Sequence, residues 1–346
     1  MKVIITAGGT GGHIYPAISI IEKIKEMDKS CEILYIGTTN RMEKDIIPNM
    51  NINYEGIKIN GLSKNPVTCF KCLTNTLKGI DKCSKIMKSF KPDVVVGVGG
   101  YVTVPVVLAA HKLNIPVVLH EQNSVPGKAN KFLSKYANVV CVSIKDTLKY
   151  FKNGVFTGNP RSEVVLKSKT GDKSKYNLTK NKKLVLITTG SLGASSINEK
   201  IVENKDLLTN KDYEILFVTG NSSYDEINSN IGKSSNIKVV PYIKDMPEVL
   251  KFTDIIVSRA GATTISEISL LLSITISLDS IPTIENSNTY FPTGIEKMNL
   301  PSISVAVPMD VPLIRTETPG RDSPFSSLTV PLTKCFSFSV TALISG

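Results

Sequence analysis

The amino-acid sequence predicts a two-domain α/β protein, two Rossmann-like halves facing one another across a cleft. Three observations predict it. β-Branched apolar runs alternate with segments of helical periodicity, a glycine-rich loop follows the first such run, and the same order of strand, small-residue loop and helix starts again at Leu184. A chain of 346 residues, 41% of them hydrophobic, can supply two cores. The boundary is read after Arg161, giving an N-terminal domain over residues 1–161 and a C-terminal domain over 162–346.

The first stretch, KVIITAGGTGGHIYP, sets the pattern for the rest. Val3, Ile4 and Ile5 suit a strand covered on both faces, as a parallel sheet requires. Gly8, Gly9, Gly11 and Gly12 allow positive φ and close approach of a ligand. Ile14, Ala17, Ile18, Ile21 and Ile24 recur at helical spacing over Ile14–Glu26, so the glycines lead into a helix N-terminus, where N–H groups and a partial positive charge favour an anion. A Walker loop needs Lys and then Ser or Thr after its last glycine, whereas His13 and Ile14 stand here. The dinucleotide pattern G-x-G-x-x-G does not fit GGTGGH either. A ligand loop and a plain glycine turn with a structural histidine both remain open.

The first half then runs in order. Ile33–Gly37 reads as a second strand, Arg41–Ile47 as a polar connection, and a short strand lies near Ile57. From Asn60 to Lys91 seven lysines, among them Lys64, Lys71, Lys78 and Lys82, interleave with Phe70, Leu73, Leu77, Ile80 and Met87 at spacings of three and four, which predicts a pair of basic amphipathic helices. Such a surface suits anionic lipid; it equally suits an ordinary layer helix with a solvated lysine face. Asp93–Pro105 is a strand ending in a second glycine loop, and Val117–Glu121 closes on His120, Glu121, Gln122 and Asn123. Ligands of open α/β sheets bind at the carboxyl ends of strands, which makes that polar group a candidate site. Val139–Val142 and Val155–Thr157 complete the half, and Gly158–Arg161 is the turn out of it.

The Lys-rich stretch 167–183 is expected to be a linker. Leu184–Thr188 leads into TGSLGASSIN, and Ile215–Thr219, Ile237–Val240 and Ile255–Ser258 are further parallel-type strands. In SRAGATTISE, Gly261 turns the chain and Thr263, Thr264 and Ser266 suit an early helical turn. Main-chain N–H groups there can take a diphosphate, and Glu267 can accept hydrogen bonds from a ribose diol; as a T-x-x-E capping box the same residues would carry no ligand.

Charge and composition exclude several classes. Net charge is +11, and the basic excess lies before residue 272, since the last 75 residues hold two lysines and net −2. An acidic partner is implied, yet the lysines lack interleaved stacking aromatics and a reader helix, so no nucleic acid is expected. Six scattered cysteines point to reduced thiols, and Cys69-x-x-Cys72 has no second pair at zinc-finger distance. The longest uncharged run, Val94–Ala110, is cut by Gly97, Gly99, Gly100 and Pro105, so no spanning helix is expected and the chain reads as cytoplasmic.

AGGTGGHIYPA, VGVGGYVTVPV, HEQNSVPGKAN, TGNPRSEV, TGSLGASSIN and SRAGATTISE, in this order, resemble the MurG family over about residues 1–271. The resemblance implies a GT-B glycosyltransferase that needs no metal or other cofactor, and the chain lacks any Asp-x-Asp clamp. It implies transfer of N-acetylglucosamine from UDP-N-acetylglucosamine to undecaprenyl-linked lipid I, giving lipid II for peptidoglycan, by a peripheral protein on the cytoplasmic side of a bacterial membrane. Donor contacts carried over fall on Thr10, Gly11, Gly12, Asn123, Arg161, Ser191, Ile243, Ala262, Thr263, Thr264, Ile265, Ser266 and Glu267. The membrane-docking region corresponds to Lys64, Phe70, Lys71, Leu73, Leu77, Lys78 and Lys82. The alternatives are another GT-B enzyme, a diacylglycerol glycosyltransferase or a UDP-N-acetylglucosamine epimerase, or a chain left inactive by its aberrant tail. The transfer requires a base for the acceptor hydroxyl, and His13 is the side chain of the first loop able to serve at neutral pH; it could equally orient the acceptor diphosphate.

After Leu271 the resemblance ends. The family's His-Gln pair and following helix have no counterpart, no histidine follows His120, and eight of the 18 prolines lie beyond residue 271. Ser273–Leu278 is expected to fill the next strand position, and the residues after it to be exposed coil.

Overall fold

The computed structural model describes residues 1–59, 61, 66–191, 193–259, 261–269, 271, 275–277, 285–291 and 294–300. The chain divides into two compact units, Met1–Glu163 and Val164–Gly346.

In the first unit the elements alternate as β1 (Lys2–Ala7), α1 (Gly11–Met27), β2 (Glu32–Thr38), α2 (Glu43–Ile46), β3 (Asn53–Ile57), α3 (Pro66–Phe90), β4 (Val94–Gly99), α4 (Thr103–Lys112), β5 (Val117–Glu121), α5 (Lys128–Leu133), β6 (Val139–Val142), β7 (Gly154–Phe156) and α6 (Pro160–Lys167). The sheet order is β3-β2-β1-β4-β5-β6-β7, and its ladders are parallel. Alternation of side chains along β1 divides the core: Val3 and Ile5 pack with Ile14, Ala17, Ile18 and Ile21 of α1, while Ile4 joins Cys83 and Met87 of α3 and Val106 and Val107 of α4 on the other face. Each fully buried isoleucine of α1 contributes about 1.5–3 kcal/mol of apolar transfer.

Two expectations change here. The glycine loop needs positive φ at Gly9 alone (φ +98°), because Gly11 and Gly12 already belong to the first turn of α1. The basic segment is one 25-residue helix, α3, since nothing between Pro66 and Phe90 breaks the periodicity. Its C-terminal half packs inward through Cys83, Ile86, Met87 and Phe90, and a Cβ on Gly79 would stand 3.1 Å from Pro105 of α4. Burial pushes the Cys83 thiol up to about 12, so it is an inert core group.

The second unit repeats the plan with β8 (Leu184–Thr188), α7 (Ser195–Glu203), α8 (Lys205–Leu208), β9 (Glu214–Val218), α9 (Tyr224–Ile231), β10 (Ile237–Val240), α10 (Met246–Leu250), β11 (Ile255–Ser258), α11 (Ala262–Ile268), β12 (Thr275–Ser277), β13 (Glu285–Phe291) and β14 (Gly294–Leu300), in the sheet order β10-β9-β8-β11-β12-β13-β14. Val185 and Ile187 face α7 and α9; Leu184 and Leu186 face Val249, Leu250 and Ile268.

The stretch 167–183 is not a free linker. Leu178 is buried, Gly171 N–H donates to Glu248 O (3.1 Å), Thr179 N–H to Glu214 Oε2 (2.7 Å), and the Tyr176 hydroxyl to Asp245, so the lysines form the solvent face of a segment laced onto the second unit. β12 takes the expected strand position, pairing in parallel with β11 through Ile256 and Ile276. The expected coil is replaced over β13 and β14 by an antiparallel hairpin added to the sheet edge. Pro282, Pro292 and Pro301 bar a helix, but the seven-residue stretches between them carry all the N–H donors a ladder needs. Residues 301–346 lie outside the described residues, as does the expectation made for them.

In the first unit a close backbone approach joins the loops after β1 and β4. Gly8 N–H donates to Gly99 O (3.2 Å), and a Cβ on Gly100 (φ +88°) would stand 2.3 Å from Gly8 O. Gly100→Ala is therefore expected to cost about 3 kcal/mol or more, against about 1–2 for Gly9→Ala, where open space leaves only the φ penalty. Urea unfolding of both variants checks this; equal midpoints would remove the steric argument.

Candidate active site

Strand order in each sheet reverses direction once, between β1 and β4 in the first unit and between β8 and β11 in the second. Crevices at the carboxyl ends of strands beside such a reversal are where open α/β sheets bind ligands. Residues 10–13 follow β1, and Ser191 and residues 262–267 follow β8 and β11, whereas Asn123 follows β5, Ile243 follows β10 and Arg161 lies on α6.

In the first unit, Gly8–Thr10 leave β1 and enter α1 at Gly11. Thr10 is exposed, is the N-cap residue, and makes no side-chain cap bond; its carbonyl accepts from His13 N–H (3.1 Å) and Ile14 N–H (3.2 Å). Glu43 fixes the loop from behind: fully buried, it accepts from Thr38 N–H (3.0 Å), Thr38 Oγ1 (2.7 Å) and Gly9 N–H (3.4 Å). The His13 ring lies over Gly99 (φ +120°), where a Cβ would stand 2.7 Å from Nδ1.

From the end of β5, Gln122 reaches His13, with Oε1 3.1 Å from Nδ1. Gln122 Nε2 donates to Val98 O (2.9 Å) and lies 2.9 Å from His120 Nδ1, and His120 Nε2 lies 3.2 Å from Gly158 O. His120 is 4% exposed, and burial holds its pKa below the ordinary histidine value, against the opposing pull of the Gly158 carbonyl and the Glu121 charge; the nearby His13 adds to the depression. Glu121 accepts from Asn123 N–H (2.9 Å), Asn123 Nδ2 (2.9 Å), Gly127 N–H (3.0 Å) and Asn130 Nδ2 (3.0 Å), so this carboxylate organises the loop that presents Asn123. Arg161 is buried on α6 with its guanidinium carbon 5.4 Å from the centroid of the Tyr15 ring of α1.

In the second unit, Ser191 sits in the loop after β8 between Gly190 (φ +101°) and Gly193 (φ +77°), and a Cβ on Gly193 would stand 2.1 Å from Thr219 O. The Arg259 side chain, leaving β11, donates from Nε to Thr189 O (2.8 Å) and lies beside Gly190. Buried Thr189 Oγ1, just after β8, and Asn198 Oδ1, on α7, have no hydrogen-bond partner among the described residues. Ala262, Thr263, Thr264, Ile265, Ser266 and Glu267 all lie in α11, whose N-cap is Gly261 without a side-chain cap bond, so the capping-box alternative is not formed. Glu267 is 9% exposed, lying on the second turn beside core residue Ile268. The Ile243 side chain is buried in the core, leaving its main chain for any ligand.

Of the set expected to face lipid, Leu73 (58% exposed) and Leu77 (59%) stand out on α3 with Lys78 exposed beside them. Lys82 is instead engaged, donating to Gly56 O (2.8 Å) with Glu55 at 3.7 Å. Lys64 and the side chains of Phe70 and Lys71 lie outside the described residues. Gln122, Glu43 and Arg259 were not singled out individually by sequence; Gln122 had a signal, its place in a polar strand end, whereas the other two acquire meaning only through distant partners.

Residues 3–142 match the glycosyltransferase family 28 N-terminal domain and residues 184–280 its C-terminal domain. This chain belongs to glycosyltransferase family 28. The second match reaches past Leu271 and takes in β12. The "UDP-N-acetylglucosamine--N-acetylmuramyl-(pentapeptide) pyrophosphoryl-undecaprenol N-acetylglucosamine transferase" of Bacillus pumilus (strain SAFR-032) is 42% identical over 310 residues, covering 88% of this chain and 83% of the relative. The protein of the same name from Bacillus subtilis (strain 168) is 40% identical over 310 residues, with the same 88% and 83%. The crystal structure of Acinetobacter baumannii MurG superposes with a TM-score of 0.58 at 29% identity, over 81% of this chain and 80% of that one. S. aureus MnaA with UDP gives a TM-score of 0.58 at 18% identity over 79% of each chain, a likeness of fold alone. The fold of this family 28 chain is GT-B.

The buried His120 predicts a pH dependence. The folded family 28 chain disfavours its charged form, so the unfolded chain binds the extra proton below about pH 6.5 and stability falls, by up to about 1.4 kcal/mol per pH unit, until the depressed folded pKa is reached. Thermal midpoints compared at about pH 7.5 and about pH 5.5 should differ more for the wild type than for His120→Gln. An identical shift in both would acquit His120.

Proposed function

We propose that this chain transfers N-acetylglucosamine from UDP-N-acetylglucosamine to the muramoyl C4 hydroxyl of undecaprenyl-linked lipid I, yielding lipid II. The observation that carries the reading is identity of 42% over 88% of the chain to a relative bearing that activity in its name. His13 at the β1–β4 reversal is consistent with it, an imidazole held at a ligand crevice.

In this reading His13 takes the proton of the acceptor hydroxyl as its oxygen bonds to the anomeric carbon. The bond from that carbon to the diphosphate breaks on the opposite face, its electron pair leaves on UDP, and the configuration inverts. The leaving charge is met by main-chain N–H groups in the first turn of α11, by Ser191, and by Arg259 beside the Ser191 loop. Glu267 takes the ribose hydroxyls, and Ile243 serves through its main chain. Thr10, Gly11, Gly12 and Asn123 stand with His13 in the first unit, and Arg161 completes the set.

The chain works on a lipid and none of its described helices is long and apolar enough to cross a membrane. Docking falls to the exposed end of α3, where Leu73 and Leu77 insert and Lys78 meets anionic headgroups at about 1 kcal/mol per charge. The missing histidine and glutamine after β12 leave the sugar moiety of the donor weakly specified in this chain.

Radiolabel should move from UDP-N-acetylglucosamine to a lipid product only when lipid I is present; turnover of the sugar nucleotide without lipid would favour an epimerase. Glu267→Gln should weaken UDP binding by about 10- to 100-fold with a small change in melting, while Glu267→Ala, which empties a buried site, should also lower the melting temperature. Calorimetry showing unchanged UDP affinity in Glu267→Gln would remove that residue from the site. Leu73→Gln with Leu77→Gln and Lys78→Gln should lower partitioning onto anionic vesicles several-fold, whereas Lys82→Gln should change it little because Lys82 is already paired. If both sets behave alike, α3 does not dock as described.

A further inference from the structure

Two main-chain carbonyls determine where the protons lie in the chain Gly158, His120, Gln122, His13. Val98 O can only accept, and it lies 2.9 Å from one end of the Gln122 amide; that end is therefore the NH2 group, for an oxygen there would face another oxygen. The NH2 group also points at His120 Nδ1 (2.9 Å), so Nδ1 accepts and is bare. His120 Nε2 then carries the ring proton and gives it to Gly158 O (3.2 Å), which is again an acceptor only. With its NH2 so committed, Gln122 turns Oε1 toward His13 Nδ1 (3.1 Å). An amide oxygen has no proton to offer, so His13 must donate from Nδ1. His13 Nε2 has no hydrogen-bond partner among the described residues.

We propose that Gln122 is a positioning residue that locks neutral His13 in its Nδ1–H tautomer, so that the lone pair sits on Nε2, the ring atom turned to the reacting hydroxyl. The proposal rests on the reading of His13 as the base. Gln122 here takes the place that a carboxylate holds in a Ser-His-Asp triad, orienting the ring and fixing its tautomer, but as a neutral partner it gives the imidazolium no compensating charge. The acceptor's proton is received at Nε2, and the cation formed keeps its Nδ1–H bond to Gln122.

The test reads the tautomer directly. In long-range 1H–15N spectra of the full-length, 15N-histidine-labelled chain near neutral pH, with the His13 signals assigned by their loss in His13→Ala, the ring is expected to show a protonated Nδ1 and a bare Nε2. A protonated Nε2 overturns the proposal without recourse to any variant. Gln122→Met removes the acceptor at similar length; it is expected to release His13 toward the other tautomer and to lower kcat by roughly 10²-fold with KM for the donor changed less than about 3-fold. A Gln122→Met chain that keeps both the Nδ1–H spectrum and wild-type kcat overturns the positioning role. An undiminished kcat in His13→Ala overturns the base reading instead, and the wild-type spectrum then still decides whether Gln122 sets the tautomer.

Discussion

The contact on which the first unit depends is the approach of two backbone loops with no side chain between them. Where the turns after β1 and β4 meet, Gly8 bonds Gly99 and the space over Gly100 ends at a carbonyl oxygen. That approach brings the His13 ring flat onto Gly99 and within reach of a residue from β5, two strands away in the sheet. A larger residue at position 99 or 100 would move the ring and the loop together, so packing and chemistry share one constraint here.

Two buried carboxylates of the first unit serve its loops. Glu43 and Glu121 are buried with their oxygens turned to backbone and amide donors, which gives two irregular loops fixed shapes and leaves those acids structural. A chain of histidine, glutamine and histidine runs beside these loops in the first unit, and Glu121 adjoins both His120 and Gln122 in sequence. An uncharged amide beside His13 would not repel an anion as a carboxylate there would.

Much of this was legible in the amino-acid order, for identifiable reasons. Strands such as VIITA and LVLIT are apolar on both faces, which only a sheet covered by helices tolerates, and glycine followed by helical period marks the ligand loops. Local patterns were less informative about tertiary partners. Lys82 looked like its neighbours on α3 until the fold placed Glu55 and Gly56 beside it, and the burial of Glu267 on α11 had no mark in the sequence. The stretch 167–183 reads as linker by its lysines, yet Leu178, Tyr176 and Thr179 decide its place. After Leu271 the prolines argued against helices but were silent about the hairpin of β13 and β14, because pairing between two short strands depends on a partner that periodicity does not reveal.

The two sheets share one plan: counted from its first strand, each runs third, second, first, fourth, fifth across its core. Such a repeat makes positions in one half equivalent to positions in the other, so the loop of Ser191 is the counterpart of the loop of His13, and the segment after β12 is the counterpart of Gln122 and Asn123. In that segment stand Leu278 and Asp279, an apolar residue and an acid where its counterpart carries two amides. The chain thus uses one sheet plan twice, and the same strand order carries different residues at corresponding positions of the sequence. A plan of this kind is fixed by the strands, while the residues that follow each strand can differ from one half to the other without altering it.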